Sequence, residues 1–326
     1  MATPVVESLR RHFPDGHIAF LTERASRDVL VDNPFLDELI VLDQGAWKRL
    51  GPFGSLHAQW AFYRNLRSRK FDAVIDLFGN PRSAILSVVS GAEMRIGFDF
   101  RGRRYCYTKL IRPRGGEVHE VLFNLDALAA MDVPIKTTNP LLPVSEVLRQ
   151  ASSRWLAQND IEDGDKIVGI NPGGGWEIKR WKPERFAAVA DRLKRDFGAH
   201  ILLFWGPGER ETVEALAASM TEDPLILPET TLSQMAAYLE HCTIVLSNDS
   251  GPMHMAAALG VPTVGIFGPT NPDLQGPYGS ENAVVQKVGL PCLCCNRLTC
   301  KIGNPCMETL TPEEVLSVVE SLLITT

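Results

Sequence analysis

Residues 246–254 read Leu246-Ser247-Asn248-Asp249-Ser250-Gly251-Pro252-Met253-His254. The stretch follows apolar residues 243–245 and precedes a run of small residues, 255–259. A strand that breaks at Asp-Ser-Gly and restarts as a helix leaves backbone N–H groups at a helix N-terminus, where the dipole favours a phosphate. The stretch therefore predicts an anion site at a strand-to-helix turn, although Asp and Ser are also ordinary N-cap residues.

Two neighbouring segments end in the same way. Residues 167–176 form an apolar strand that enters a glycine turn, and residues 262–270 form another that ends in Gly-Pro-Thr. In open parallel sheets, ligands bind where strand ends meet in such loops. The sequence therefore predicts one ligand site built from three strand ends.

Strands and helices alternate along the whole chain, which indicates parallel sheets covered by helices. In the C-terminal half we expect strands at 167–171, 200–204, 243–247 and 262–266. The helices between them are expected at about 184–196, 208–220, 231–241 and 252–259. In the N-terminal half we expect strands at 17–21, 38–42 and 73–77, and helices at 4–12, 56–69, 83–89 and 118–130. The polar, proline-bearing residues 133–146 predict a linker, and hence domains 1–140 and 141–326.

Several segments together resemble glycosyltransferase family 9, the ADP-heptose:lipopolysaccharide heptosyltransferases. The matching pieces are Asn171-Pro172-Gly173, Lys179-Arg180-Trp181, Trp205-Gly206 with Glu209, Leu232-Ser233-Gln234-Met235 and the stretch 248–254. The resemblance implies a GT-B fold, in which two Rossmann-like domains face each other across a cleft. Residues 1–140 would bind the acceptor and residues 141–326 the donor, and the terminal helix at about 312–323 would cross back to the first domain.

The resemblance also implies roles for individual residues. Lys179 would stabilise the leaving phosphate, Glu209 would accept the ribose hydroxyls and Met235 would pack on the nucleoside. The donor-binding residues it implies are Gly173, Gly174, Glu209, Met235, Asp249, Ser250, Gly251 and His254. Each has an ordinary alternative: a surface lysine, a helix first-turn glutamate, a core methionine and a hydrogen-bonded structural histidine.

The resemblance implies that the general base is the Asp of an N-terminal Gly-Asp turn, and this residue has no counterpart in this sequence. Family members begin with a strand and a Gly-Asp turn just before a segment like residues 2–9, and this sequence starts at Met1. We expect a longer native start, because a sheet without its first strand would expose strand edges. The alternative is a protein that binds a nucleotide sugar without transferring it.

Charge is distributed unevenly between the two halves. Residues 1–140 carry 19 Lys or Arg and 16 Asp or Glu, and residues 141–326 carry 14 and 23. Basic residues concentrate in residues 101–114, an expected irregular loop, and in residues 64–70, which read more simply as a solvated helix face. Arg101, Arg103 and Arg104 are the candidate acceptor-binding residues, since the sugar acids and phosphates of a lipopolysaccharide inner core, or an anionic membrane, would attract them.

Four cysteines in the loop 291–306 have the spacing C-x2-C-x4-C-x5-C: Cys292, Cys295, Cys300 and Cys306. Thiolates at this spacing can hold structural zinc or an iron–sulfur cluster. Reduced or redox-active thiols are the alternative, as is a metal-sensing or scaffolding role for the loop. Neither a structural metal nor reduced or redox-active thiols would place the cysteines at the reaction centre. The resemblance implies that catalysis requires no metal or other cofactor.

Composition agrees with a two-domain protein of 326 residues, 45% hydrophobic and 22% charged. The N-terminus lacks the pattern of a signal peptide, so we expect a cytoplasmic protein, peripheral at the inner membrane, that does not bind nucleic acid. The expected reaction is inverting transfer of heptose from ADP-L-glycero-D-manno-heptose to the lipopolysaccharide inner core. A relative using another nucleotide sugar is a further alternative.

Overall fold

The structure is a computed structural model that describes residues 1–325. The chain divides into two compact units, Met1–Pro140 and Leu141–Thr326. No helix within residues 1–325 has the length and apolar character needed to cross a membrane.

The first unit alternates helices with short parallel strands. Its elements are α1 (Thr3–His12), β1 (Ala19–Glu23), β2 (Glu38–Leu42), α2 (Gln44–Arg49), α3 (Gly51–Ser68), β3 (Ala73–Asp76), α4 (Pro81–Ser90), β4 (Met94–Phe98), β5 (Lys109–Ile111) and α5 (Glu120–Leu125). Helices of the 3-10 type cover Arg24–Val29, Arg104–Cys106 and Asp126–Met131.

The strands of this unit form two sheets rather than the single sheet that the alternation suggests. β1 pairs with β2, and β4 pairs with β3 on one side and β5 on the other, all in parallel. Within residues 1–325 no strand joins β1 to β3, so the two sheets stay separate. β5 also corrects the expected irregular loop 101–114, because its backbone hydrogen bonds to β4 make Lys109–Ile111 a strand.

The second unit contains one larger sheet. Its elements are α6 (Glu146–Ala157), β6 (Ile167–Asn171), α7 (Pro183–Phe197), β7 (His200–Leu203), α8 (Arg210–Ser219), β8 (Leu225–Ile226), α9 (Leu232–Leu239), β9 (Ile244–Asn248), α10 (Gly251–Ala258), β10 (Thr263–Phe267), α11 (Pro272–Gln275), β11 (Ala283–Gln286), α12 (Pro305–Glu308) and α13 (Pro312–Thr325). A 3-10 helix covers Glu177–Lys179.

Six parallel strands lie in the order β11-β10-β9-β6-β7-β8. The chain winds outward from β6 to one edge and then returns to β9, which lies beside β6 and begins the other half. This is the doubly wound order, with its switch point between β6 and β9. Every residue of β6, β9 and β10 is buried, as expected for central strands covered on both faces.

Local sequence signals set the helix ends. α7 begins with Pro183 and stops at Gly198, which adopts a left-handed conformation. α9 begins with a capping box, in which Thr231 and Gln234 each accept a hydrogen bond from the other's backbone N–H.

The terminal helix α13 packs within its own unit. Val315, Val319 and Leu323 repeat at intervals of four residues and are buried in the core of the second unit. The helix contacts α7, β9, β10 and β11.

Candidate functional site

The ends of β6 and β9 lie side by side at the switch point of the second sheet. β6 ends at Asn171 and β9 at Asn248, and both side chains are buried. The loops that follow, residues 172–182 and 249–250, carry half of the residues predicted to bind the donor, together with Lys179. We give the name strand-end cluster to the polar side chains at and after these strand ends and to two that lie beside them: Asn171, Lys179, Asn248, Asp249 and Ser250, with Glu209 and Thr270.

Backbone groups from two loops hold Glu209 in place. Its Oε1 accepts a hydrogen bond from the N–H of Gly174 at 2.8 Å, and its Oε2 accepts one from the N–H of Gly206 at 2.9 Å. A Cβ atom at Gly173 would overlap the same carboxylate. The structure thus brings Gly173, Gly174 and Glu209 together, and the carboxylate keeps further lone pairs that can accept hydroxyl hydrogens.

Lys179 and Asp249 form a mostly buried ion pair. The Lys179 Nζ lies 2.6 Å from Oδ2 of Asp249, and the two side chains are 13% and 6% exposed. The same oxygen accepts a hydrogen bond from the Thr270 hydroxyl at 2.6 Å, and the ammonium lies 4.4 Å from the centre of the Trp176 ring. The ammonium is therefore held between an aromatic face and a carboxylate, near the start of α10.

Asn248 ties the loops of the cluster to the sheet. Its Nδ2 donates to the Pro172 carbonyl at 2.7 Å, and its Oδ1 accepts from the N–H of Trp181 at 3.1 Å. The loop 172–182 is therefore anchored near both of its ends on one buried amide.

Asn171 joins the strand end to the helix start. Its Nδ2 donates to Ser250 Oγ at 2.9 Å and to Ser247 Oγ at 3.1 Å. Its buried Oδ1 has no hydrogen-bond partner among residues 1–325. A buried acceptor of this kind is unusual in a folded protein.

The remaining predicted donor residues lie on or beside two helices. Ser250 is the N-cap of α10, Gly251 is its first residue and His254 lies in its first turn. By helix geometry the N–H groups of Gly251 and Met253 have no partner within the helix, and Pro252 between them has no N–H. Met235 lies on α9 and is buried.

The predicted acceptor residues lie in the first unit, after β4. Arg101 is exposed, Arg104 forms an ion pair with Asp99 at 3.2 Å, and the Arg103 guanidinium lies 5.1 Å from the centre of the Phe100 ring. Arg103 Nε is buried and has no hydrogen-bond partner among the described residues. Their assignment to the acceptor stays a prediction.

The cysteine loop differs from residue to residue in burial. Cys306 is buried against the backbone of Gly268, and burial, reinforced by Cys292, raises the pKa of its thiol. Cys295 is exposed, whereas Cys300 is partly buried. Within residues 1–325 no three His, Cys, Asp or Glu side chains are arranged to hold a metal ion. Structural zinc or an iron–sulfur cluster at this spacing stays a prediction.

Sequence reasoning did not assign three members of the cluster: Asn171, Asn248 and Thr270. Each follows or ends an apolar strand within a segment that was already singled out. Their position at strand ends was the available signal. Their hydrogen-bond partners, however, come from distant segments of the chain and could not be read from neighbouring residues.

A protein-family model described as "Glycosyltransferase family 9 (heptosyltransferase)" matches residues 59–305, which is more than half of the chain. The chain belongs to glycosyltransferase family 9. The resemblance inferred from the sequence is thereby confirmed.

Curated relatives carry heptosyltransferase names. Lipooligosaccharide heptosyltransferase 2 of Campylobacter jejuni is 33% identical over 171 residues, which cover 50% of this chain and 53% of the relative, so the chain matches about half the length of that protein. Lipopolysaccharide heptosyltransferase 1 of Pseudomonas aeruginosa is 27% identical, over 98% of this chain and 93% of the relative.

Solved structures of family 9 proteins share the fold. A family 9 glycosyl transferase from Veillonella parvula is 28% identical, with a TM-score of 0.89, and covers 100% of this chain and 93% of its own. Escherichia coli heptosyltransferase WaaC with ADP is 21% identical, with a TM-score of 0.77, over 98% and 95% of the two chains. The predicted α/β fold of GT-B type, with parallel sheets, is confirmed.

Proposed function

We propose that this chain is an inverting glycosyltransferase that moves heptose from ADP-L-glycero-D-manno-heptose to the inner core of lipopolysaccharide. It would act in the cytoplasm as a peripheral protein of the inner membrane. The proposal is supported by the names of the relatives, by the ADP bound in the Escherichia coli structure and by the strand-end cluster. The Lys179–Asp249 pair is the observation that carries it.

Departure of ADP from the sugar is the step that this cluster can assist. Negative charge grows on the diphosphate as the bond to the anomeric carbon breaks, and a nearby ammonium and helix N-terminal N–H groups stabilise that charge. Lys179 supplies the ammonium, and the first turn of α10 supplies the N–H groups. Asp249, fixed by Thr270, holds the ammonium in position before the donor binds.

Glu209 would orient the nucleoside. A carboxylate held by two backbone N–H groups cannot rotate freely, so its remaining lone pairs point in fixed directions. Such a carboxylate suits the two adjacent hydroxyls of a ribose. The donor half of the reaction therefore rests on residues that the second unit already holds in place.

The acceptor hydroxyl must also lose a proton, and Asp76 is a carboxylate that lies buried at a strand end of the first unit. Asp76 ends β3, but its Oδ1 accepts from the N–H groups of Phe78 and Gly79, and its Oδ2 accepts from the Tyr107 hydroxyl. We assign this carboxylate to the structure of the unit.

The test is calorimetric titration of ADP and ADP-heptose into the protein and into Lys179→Ala and Asp249→Asn. We expect each change to weaken ADP binding about tenfold or more, because each removes one member of a mostly buried charged pair. Lys182→Ala is the matched control, since Lys182 is three residues away and pairs with Glu308 at an exposed position. Circular dichroism verifies that each variant is folded.

Unchanged ADP affinity in both folded variants would contradict the donor site. Release of ADP in the presence of heptose-deficient lipopolysaccharide measures transfer. Binding of ADP-heptose without transfer would favour the nucleotide-sugar-binding alternative, and preference for a different nucleotide sugar would favour another donor.

A further inference from the structure

One face of α3 exposes large apolar side chains. Four of them, at the start of the helix and along one side, are mostly exposed: Leu50 58%, Phe53 90%, Leu56 67% and Trp60 56%. Phe53, Leu56 and Trp60 are spaced by three and four residues, which places them on one side of the helix. We call these four residues the apolar stripe.

Another side of α3 faces the core of its unit. Leu66 is buried there, and Phe62 packs against the same hydrophobic cluster. The apolar stripe is therefore separate from the hydrophobic core of this unit. The apolar surface of the stripe would be removed from water only if a molecule outside this unit covered it.

Basic residues surround the stripe, and acidic residues are absent from the same stretch of sequence. Between Asp43 and Asp72 the chain has six basic residues and no acidic residue; the basic ones are Lys48, Arg49, Arg64, Arg67, Arg69 and Lys70. Lys48 and Arg49 are exposed at the end of α2, immediately before the stripe. Arg64 continues the stripe by one turn, with its guanidinium 5.0 Å from the centre of the Trp60 ring.

One of these charges is already neutralised by an ion pair, and it lies away from the stripe. Arg69 forms an ion pair with Glu38 at the far end of α3. No ion pair of Lys48, Arg49 or Arg64 occurs among residues 1–325. The stripe is therefore bordered by positive charge that the described residues do not balance.

We propose that the apolar stripe and its basic border dock the protein on the surface of an anionic lipid bilayer. Aromatic and aliphatic side chains enter the interface between headgroups and acyl chains, while Lys and Arg bind the anionic headgroups. The proposal deepens the membrane part of the proposed function and rests on it. It does not depend on which sugar is transferred.

Charge argues against a second copy of this chain as the occupant. Two such faces packed together would bring two acid-free basic borders against each other, and like charges across an interface oppose association. An acidic protein partner would satisfy the charge but is not required by the apolar side chains. A bilayer satisfies both at once.

The experiment is flotation of the intact protein with vesicles of phosphatidylethanolamine and phosphatidylglycerol, and with vesicles of phosphatidylcholine alone. We expect binding to the anionic vesicles that weakens as salt rises. Phe53→Ser with Trp60→Ser should reduce the bound fraction about tenfold or more, because both aromatic anchors are lost. Lys48→Glu with Arg49→Glu should reduce it comparably, by reversing the charge of the border.

Matched controls lie in the second unit. Val147→Ser with Val288→Ser removes two apolar side chains that are 73% and 80% exposed, and Arg195→Glu reverses a charge on a side chain that is 63% exposed. We expect both controls to float like the unaltered protein. Because all the changed side chains are exposed, the fold should persist in every variant, and circular dichroism verifies this.

Three outcomes would overturn the proposal. The first is no flotation of the unaltered protein; the second is equal binding to neutral vesicles; the third is equal loss in the controls and in the stripe variants.

Sedimentation analysis provides a separate test, since self-association that only the stripe variants lose would assign the face to a second copy. Calorimetric ADP binding by the stripe variants separates the two proposals: intact ADP binding with lost flotation leaves the donor site in place.

Discussion

Gly173 lies so close to Glu209 that no side chain fits between them. A Cβ atom there would overlap the carboxylate that the N–H groups of Gly174 and Gly206 hold. The absence of a side chain at this position is therefore a requirement of the site. Gly175, two residues on, has open space where its Cβ would lie.

We expect Gly173→Ala to displace Glu209 and to weaken ADP binding at least several-fold. The overlap should also lower the free energy of unfolding by about 1–3 kcal/mol, as overpacking does. Gly175→Ala is the matched control and should leave ADP binding within about twofold, since it meets no atom. Calorimetry and urea unfolding of both variants make the comparison. Equal ADP affinity in the two variants would show that Glu209 is not part of the site.

At the scale of elements, a buried phenol joins β3 to the segment before β5. The Tyr107 hydroxyl donates to Asp76 Oδ2 at 2.6 Å, and the Tyr107 ring covers Gly97 of β4. Burial, followed by the bond to Asp76, raises the pKa of Tyr107 above its ordinary value of 10.0. The contact closes one end of the three-stranded sheet.

This contact predicts a loss of stability at alkaline pH. Above about pH 10 the phenol ionises in the unfolded chain, whereas in the folded chain it keeps its proton, so the free energy of unfolding falls as the pH rises further. Tyr107→Phe should lower the free energy of unfolding at neutral pH by about 1–3 kcal/mol and should flatten this alkaline decline. Urea unfolding from pH 7 to 11 measures both effects.

Tyr105→Phe is the control, because Tyr105 is 86% exposed. It should follow the unaltered protein at every pH. Burial also raises the pKa of the Cys242 thiol, which therefore contributes to the alkaline decline in every variant. The difference between Tyr107→Phe and the unaltered protein, rather than the slope of either one, isolates the effect of Tyr107. An alkaline decline that Tyr107→Phe leaves unchanged would contradict this account.

At the scale of the whole molecule, the two units differ in how fully their sheets are built. β6, β9 and β10 are buried along their whole length and each has a partner on both sides. β1 and β3 are only partly buried for most of their length, and each has one partner among residues 1–325. Fully paired, buried strands open less often than edge strands.

We expect hydrogen exchange of the intact protein to follow this difference. Peptides from β6, β9 and β10 should exchange about tenfold or more slowly than peptides from β1 and β3. Added ADP should slow exchange at residues 171–174, 206–209 and 248–254. Mass spectrometry measures both. Equal protection of the two sets of strands, or an ADP effect confined to the first unit, would contradict these expectations.

Much of this architecture could be read from the sequence. Apolar runs of four or five residues separated by helical segments predict parallel strands, because hydrogen bonding and burial demand those patterns locally. The observed β6, β7, β9 and β10 fall within about one residue of their predicted positions. β5 was missed because three residues carry too little periodicity to distinguish a strand from a loop.

The candidate site divides in the same way. The sequence by itself determined which segments supply it, since the motif around Asp249 and the turn after Asn171 carry recognisable residue types. Only the tertiary structure decided the partners: Lys179 with Asp249, Glu209 with the backbone of Gly174, and Asn248 with Pro172. These partners are 35 to 76 residues apart along the chain. Pairing at that range depends on strand order, and strand order is set by how the whole sheet buries its faces rather than by any local pattern.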